Sequence, residues 1–191
     1  MKKSKNAFAC LFNLFSLFSG LAFVAAVIFH AHMPQGWTLT FLLTSGTVFY
    51  HFAMRLFVGY VIETLFFRRL QADGRWFRER ACEQKLYAFL RLKSWKGCLP
   101  TYNPKKFDIK QLTIEQLIQN TLQAEAVHET IALLSFLPIG FYFLTYDPID
   151  LLVYILTSLF AAAFDTLFVL LQRFNRFRLL RLQKIERKKA E

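Results

Sequence analysis

Residues 7–29 read AFACLFNLFSLFSGLAFVAAVIF, an apolar stretch without a charged side chain. A helix needs about 20 apolar residues to cross a hydrocarbon core of about 30 Å, because each residue advances it by about 1.5 Å. The stretch is longer than the apolar core of a cleaved signal peptide, which has about 7–15 residues. We therefore interpret it as a membrane-spanning helix.

Three further stretches support the same interpretation. They cover about residues 38–67, 130–146 and 149–171. In lipid, every backbone N–H and C=O group must find a partner within the protein, so each stretch is expected to be helical. The sequence thus predicts an all-α fold, a polytopic membrane helical bundle of about four transmembrane helices forming a single membrane domain over 1–191.

The basic residues predict how these helices are oriented. Lys and Arg in short loops are retained on the cytoplasmic side of a membrane. All of the 24 Lys and Arg residues except Arg55 lie before the first predicted helix, between the second and third, or after the fourth. The loops at 30–37 and 146–148 contain none. We therefore expect both termini to be cytoplasmic.

The polar segment 68–129 is expected to lie on the cytoplasmic membrane surface. From Arg75 to Trp95, aromatic and apolar residues alternate with Arg and Lys. This composition is typical of an amphipathic interfacial helix whose cations meet anionic phospholipid headgroups. Gly97 and Pro104 bound a predicted break after that helix.

Two sequence signals define the ends of the remaining elements. Thr113 predicts a helix start, because Gln116 at the third position after it completes a capping box. That helix is expected to run through Glu125 and His128 into the third span. Beyond the fourth span, residues 172–191 form a predicted basic C-terminal tail.

Charge and cysteine content exclude several classes of function. The 24 Lys and Arg residues outnumber 13 Asp and Glu residues, which in a soluble chain would suggest a nucleic-acid binder. The long apolar runs argue against that class, so no nucleic-acid partner is expected. Cys10, Cys82 and Cys98 are odd in number and include no CxxC pair, so we predict neither a disulfide framework nor a metal site.

Ionisable side chains inside the predicted spans are candidates for function, because a charge in lipid is costly without a partner. Helix two contains His51 and Arg55, which share a face, and helix four contains Asp165. One interpretation is a structural ion pair between Arg55 and Asp165. The other is that all three side chains line a cavity for a polar headgroup, and the two interpretations are compatible.

Glu125 and His128 form a second candidate site. Three residues separate them on the predicted helix, so both point to one side of it. A carboxylate can fix the tautomer of an imidazole and raise its basicity, which would make Glu125 the orienting group and His128 a general base for a hydroxyl nucleophile. A solvated charge pair is the plainer alternative.

A third candidate site follows helix four. Arg side chains hold phosphate groups through paired N–H donors, while Gln and Asn contribute hydrogen bonds that topology does not require. We therefore expect an anion to bind at this end of the helix. The residues are Gln172, Arg173, Asn175, Arg176 and Arg178.

These motifs resemble those of the glycosyl-4,4'-diaponeurosporenoate acyltransferases of staphyloxanthin-type carotenoid biosynthesis. The resemblance covers about residues 77–184, and Phe177 stands where that family often has Pro. The matching motifs are Trp95-Lys96, Ala124-Glu125-x-x-His128 and Gln172-Arg173-x-Asn175-Arg176-x-Arg178.

The resemblance implies an enzyme of the bacterial cell membrane that esterifies a sugar hydroxyl of a glycosylated lipid with a fatty acyl group. The acceptor would be a membrane lipid, and acyl-CoA or an acyl-carrier donor would arrive from the cytoplasm as co-substrate, with no bound cofactor. The motif residues, Trp95 included, would bind substrate. Two alternatives remain open: a small membrane alkyl- or methyltransferase, and a non-catalytic scaffold that binds anionic lipid or a partner enzyme.

Overall fold

A computed structural model describes residues 7–66, 70–71 and 74–190 of the chain, and within these residues it contains helices and no β-strand. The prediction of an all-α fold is confirmed. Short 3₁₀ helices at Arg75–Phe77, Lys96–Cys98, Pro104–Phe107 and Leu137–Phe141 separate some of the α-helices. The α-helices are α1 (Ala7–His32), α2 (Gly36–Leu65), α3 (Ala81–Phe89), α4 (Leu92–Trp95), α5 (Ile114–Leu134), α6 (Tyr142–Thr145) and α7 (Pro148–Ala190).

Four helical stretches of the described chain are long and apolar enough to cross a membrane, as the sequence predicted. They are Ala7–His32, Gly36–Leu65, Ile114–Thr145 and Pro148–Lys189. The third stretch begins at Ile114, where the sequence predicted the start of the helix that continues into the third span. The residues assigned to a basic tail continue α7 as helix to Ala190.

A capping box marks the start of the third stretch. The Gln116 N–H donates to Thr113 Oγ1 at 3.3 Å, and the Thr113 N–H donates to Gln116 Oε1 at 2.9 Å. The predicted helix start is therefore confirmed. These two reciprocal bonds satisfy backbone donors that the first turn of a helix leaves without partners.

The amphipathic segment is broken where a single interfacial helix was expected. Trp95 Nε1 donates to the Leu90 carbonyl at 2.7 Å, which satisfies an acceptor at the end of α3. Arg91 follows with a φ of 48°, a conformation that an α-helix cannot contain. The expectation of one continuous helix from Arg75 to Trp95 is therefore wrong.

The described chain divides into two compact units, the first of which contains residues up to Val58 together with Ile131–Ala162. In this unit α1 and α2 approach closely at two glycines. A Cβ atom at Gly20 would lie 3.1 Å from Phe49 Cε2, and one at Gly46 would lie 3.1 Å from Phe23 Cε2. The Phe23 and Phe49 rings stack with centroids 5.6 Å apart. Small residues thus create the space that two large rings fill, as is common between membrane helices.

The end of α5 also belongs to the first unit, and one proline determines how it ends. Pro138 has no N–H, so it cannot donate to the carbonyl of Leu134 four residues earlier. The Tyr50 hydroxyl donates to that carbonyl instead, at 2.7 Å. A hydroxyl from α2 therefore satisfies a backbone acceptor that would be costly to leave without a partner in an apolar environment.

The first unit also contains two of the ionisable residues singled out in the sequence. His51 and Arg55 lie one turn apart on α2, and Arg55 Nη1 donates to the His51 carbonyl at 2.8 Å. The predicted pairing of Arg55 with Asp165, and the shared headgroup cavity, would join the first unit to the second. Both stay predictions.

The second unit contains Gly59–Thr130 and the chain from Ala163 onward. Its apolar core forms where the α3–α4 segment packs on α7. Tyr87, Leu92 and Phe177 are buried there, and Trp95 and Phe174 pack against them. The same packing holds the segment's polar side chains against α5 and α7, where the candidate site lies.

Candidate functional site

Two polar stripes face each other in the second unit, one on α5 and one on α7. On α7, Gln172 and Arg176 each lie within about 20° of Asp165 around the axis, on opposite sides of it, because a helix turns about 100° per residue. All three are buried. On α5, Glu125 and His128 form the opposing stripe. The helices run antiparallel here, since the later α5 residue meets the earlier α7 residue.

Glu125 is held by two arginines from α7. Arg176 Nη1 donates to Glu125 Oε2, and Arg173 Nε lies 3.1 Å from Glu125 Oε1, close enough for an ion pair but without hydrogen-bond geometry. Glu125 and Arg176 are both 0% exposed. Such a buried pair is costly to break, because the group left behind keeps an uncompensated charge.

Two further groups extend this ion pair into a charge-balanced cluster. Arg173 Nη1 lies 3.2 Å from Glu83 Oε1, and the Tyr87 hydroxyl donates to Glu83 Oε2 at 3.3 Å. Burial, reinforced by the Glu83 carboxylate, raises the pKa of the Tyr87 phenol well above its ordinary value. The phenol therefore remains a proton donor. Two guanidinium groups and two carboxylates leave the cluster without net charge.

The same arginines bind the backbone of the 3₁₀ turn at Arg75–Phe77. Arg173 Nη2 donates to the Trp76 carbonyl, and Arg176 Nη2 donates to the Phe77 carbonyl at 3.0 Å. The Arg176 guanidinium also lies over the Phe77 ring, 5.3 Å from its centroid. The cluster thus fastens a loop segment, α5 and α7 to one another.

These contacts bear on the predicted anion site. Arg176 is fully buried, and the Arg173 side chain is only 14% exposed. Their guanidinium groups contact carboxylates and carbonyls, so in this structure they are not placed to receive the phosphate of a donor. Arg178 differs from them, because it is exposed and lies over the Phe174 ring at 5.7 Å.

His128 is paired with Asp165. Its Nδ1 lies 2.9 Å from Asp165 Oδ1, and its ring stacks on Phe168 with centroids 4.6 Å apart and an angle of 12° between the planes. Asp165 is 2% exposed, whereas the His128 side chain keeps 23% of its exposure. Two contacts therefore fix the ring, while part of it remains accessible.

The sequence predicted that Glu125 orients His128, but the carboxylate that contacts His128 is Asp165. Glu125 is engaged by the arginines, and Asp165 occupies the position at Nδ1. With Asp165 ionised, Nδ1 would donate to it and the lone pair of Nε2 would stay available, because a carboxylate can only accept. The structure therefore places a carboxylate beside His128, and this carboxylate comes from α7.

The other predicted site residues have separate environments. Gln172 is buried one turn after Phe168, and its Oε1 has no hydrogen-bond partner among the described residues. Asn175 is partly buried on α7. Trp95 packs in the apolar core and donates to Leu90, so its visible role is structural. Within the described residues, no group of three or more His, Cys, Asp or Glu side chains is placed to hold a metal ion.

Sequence reasoning missed Glu83, Tyr87 and Phe168. The complementary groups on the two helices, a histidine and a carboxylate on α5 and a carboxylate and arginines on α7, were a signal that α5 and α7 pair. Spacing alone does not give the register between them. No comparable signal identified Glu83, because its contact depends on how α3 packs.

Comparison with known proteins adds one finding. A family model described as glycosyl-4,4'-diaponeurosporenoate acyltransferase matches residues 73–185, more than half of the chain. This range includes the Glu125 cluster and the His128–Asp165 pair. Comparisons with curated proteins and with solved structures gave no significant match.

Proposed function

The chain belongs to the glycosyl-4,4'-diaponeurosporenoate acyltransferase family and is a membrane acyltransferase, and from this premise we propose its acceptor and its catalytic residues. The acceptor is a hydroxyl of a glycosylated lipid, with a glycosyl carotenoid as the type that the family description indicates. The acyl group comes from a thioester donor. Family membership favours acyl transfer over methyl transfer and over a non-catalytic scaffold.

The His128–Asp165 pair is the observation on which the proposed chemistry rests. Nε2 of His128 removes the proton from the acceptor hydroxyl as its oxygen attacks the thioester carbonyl, and Asp165 stabilises the imidazolium that forms. Collapse of the tetrahedral intermediate breaks the C–S bond. The thiolate then takes the proton from His128, which leaves an ester, a thiol and the neutral base.

The location of the reaction follows from the arrangement of charge. Basic residues concentrate in the elements of the second unit, and lysine and arginine in short loops are retained on the cytoplasmic side. We place both termini and the second unit's α3–α4 segment in the cytoplasm, at the cell membrane. A cytoplasmic thioester would then meet a lipid acceptor at the membrane surface.

Lipid analysis tests this function and identifies the acceptor. A strain that produces glycosylated lipids is compared with the same strain lacking the gene, and with one carrying a His128→Ala variant. We expect an acylated glycolipid to disappear in both altered strains, with its unacylated precursor accumulating. Unchanged lipids in the strain without the gene would exclude the proposed reaction.

A further inference from the structure

A cavity of about 520 Å³ lies between the α3–α4 segment and α7. Tyr87, Leu92, Phe174 and Phe177 supply aromatic and aliphatic lining. An adjoining cavity of about 250 Å³ shares Phe177 with it. Pockets of several hundred Å³ with an apolar lining and a few polar groups are typical of small-molecule sites.

The cavities are strongly basic. Together they are lined by Arg78, Arg91, Lys93, Arg178, Arg181 and Lys184. Glu79 is their acidic lining residue, and it is engaged by Arg181, whose Nη2 lies 2.9 Å from Glu79 Oε1. Such a surplus of cations around one concave surface favours a ligand with several negative charges.

This site differs from the one expected in the sequence. The buried Arg173 and Arg176 do not line either cavity, whereas Arg178 does, together with cations from the α3–α4 segment. The anion site therefore lies on a different face of α7 from Arg173 and Arg176. It combines Arg178 with residues of the α3–α4 segment, which are far from it in the chain.

We propose that these cavities bind the nucleotide end of coenzyme A, and this assignment rests on the proposed function. Coenzyme A carries a diphosphate and a 3′-phosphate on an adenosine, so its charge matches a site with many cations. The prosthetic group of an acyl carrier protein has a single phosphodiester and no adenine. The partly buried Phe174 ring lines the larger cavity and offers an apolar surface for a purine.

The position of the site suits a donor with a long arm. Arg178 follows Asp165 by thirteen residues on the continuous helix α7, so the two lie about 20 Å apart along its axis. An extended pantetheine arm has a comparable length. Around that axis Arg178 is turned by about 140° from Asp165, so the arm must also pass around the side of α7 to bring the thioester to the Asp165–His128 pair.

Binding of a non-hydrolysable thioether analogue of acyl-CoA to the full-length protein in detergent tests the assignment. For an Arg91→Gln/Arg178→Gln variant we expect the Kd to rise about 10²- to 10⁴-fold, since each of the two lost contacts to a charged group is worth about one to two factors of ten. The matched control, Lys188→Gln/Lys189→Gln, removes the same charge from exposed residues of α7 outside both cavities. Its Kd should equal that of the wild type.

Ligand variation on the wild-type protein provides a second test that requires no folded variant. Analogues lacking the 3′-phosphate, or lacking the whole nucleotide, should bind more weakly in that order. Equal binding of all three would overturn the assignment. So would full competition by vesicles containing phosphatidylglycerol, because the cavities would then be a site for lipid headgroups.

The outcomes separate this assignment from the proposed function. If the analogue binds as described but no acyl group is transferred from acyl-CoA to glycolipid, the proposed function fails and the binding site stands. If transfer proceeds from acyl carrier protein and the analogue does not bind, the function stands and the coenzyme A site is wrong.

Discussion

Nδ1 of His128 on α5 lies 2.9 Å from Oδ1 of Asp165 on α7, and the His128 ring lies flat against Phe168. A histidine held by a carboxylate on one nitrogen is suited to accept a proton on the other. The arrangement links a feature of helix packing directly to the chemistry proposed for the enzyme.

Replacement of Asp165 by Asn should lower kcat while leaving the KM for either substrate nearly unchanged. Asn has the same size, but it neither stabilises an imidazolium nor fixes the Nδ1–H tautomer. Since general-base catalysis contributes about 10²–10⁴ in rate, we expect a loss of about 10- to 100-fold from this positioning residue. Steady-state acyl transfer measures both constants.

Asp150→Asn is the matched control, because it removes a carboxylate from the first turn of the same helix. Its kcat should match that of the wild type, and Asp165→Glu should recover part of the lost rate. An Asp165→Asn variant with normal kcat but a lower melting temperature would instead indicate a purely structural role.

Replacement of Arg176 by Lys should destabilise the protein without weakening donor binding. The guanidinium bonds Glu125 and the Phe77 carbonyl at once, and a single ammonium group cannot reproduce that fork. We expect a loss of about 1.5–3 kcal/mol in the free energy of unfolding. Tryptophan fluorescence during unfolding in detergent measures it, because Trp76 and Trp95 lie in the same unit.

Arg187→Lys is the control for that measurement. It makes the same exchange at an exposed position of α7 and should change the unfolding free energy by less than about 0.5 kcal/mol. If Arg176→Lys were normally stable and its donor Kd higher, Arg176 would bind the donor, as the sequence first suggested.

Replacement of Gln172 by Leu should separate stability from substrate binding. Gln172 Oε1 is buried without a partner among the described residues, a condition that costs about 1–3 kcal/mol. Leu should therefore leave stability unchanged or improve it. We expect a sugar hydroxyl of the acceptor to donate to Oε1 in the complex. The KM for the glycolipid should then rise about tenfold in the variant, because the lost hydrogen bond is worth about 1.4 kcal/mol.

Gln119→Leu provides the comparison, because Gln119 also has a buried amide atom without a partner, on α5 and outside the stripe containing His128. Its KM for the glycolipid should equal that of the wild type. An unchanged KM in Gln172→Leu, or a clear loss of its stability, would contradict the assignment of Gln172 to the acceptor.

The parts of the fold governed by local rules were predictable from the sequence. The apolar run at 7–29 is sufficient to predict α1, and the reciprocal bonds of Thr113 and Gln116 were predictable from two residue types at the right spacing. The break at Arg91 was not predictable. A positive φ at an arginine depends on tertiary packing, here that of the following residues Leu92 and Trp95 in the apolar core.

In the candidate site, too, local spacing was predictable from the sequence and contacts between helices were not. Spacing along one helix placed Glu125 and His128 on one side of α5. It could not show which carboxylate meets which base, because that depends on the register of α5 against α7. The sequence predicted Glu125 as the partner of His128, whereas Asp165 contacts His128 and Glu125 is paired with Arg176.

Single-turnover transfer of a labelled acyl group from acyl-CoA to a glycosylated lipid, by purified protein in nanodiscs, tests the central claim most directly. The wild-type protein should form an alkali-labile ester on the glycolipid, and His128→Gln should form it about 10²- to 10⁴-fold more slowly while binding the acyl-CoA thioether analogue normally. Ester formation at the wild-type rate by His128→Gln would contradict the claim that His128 is the base.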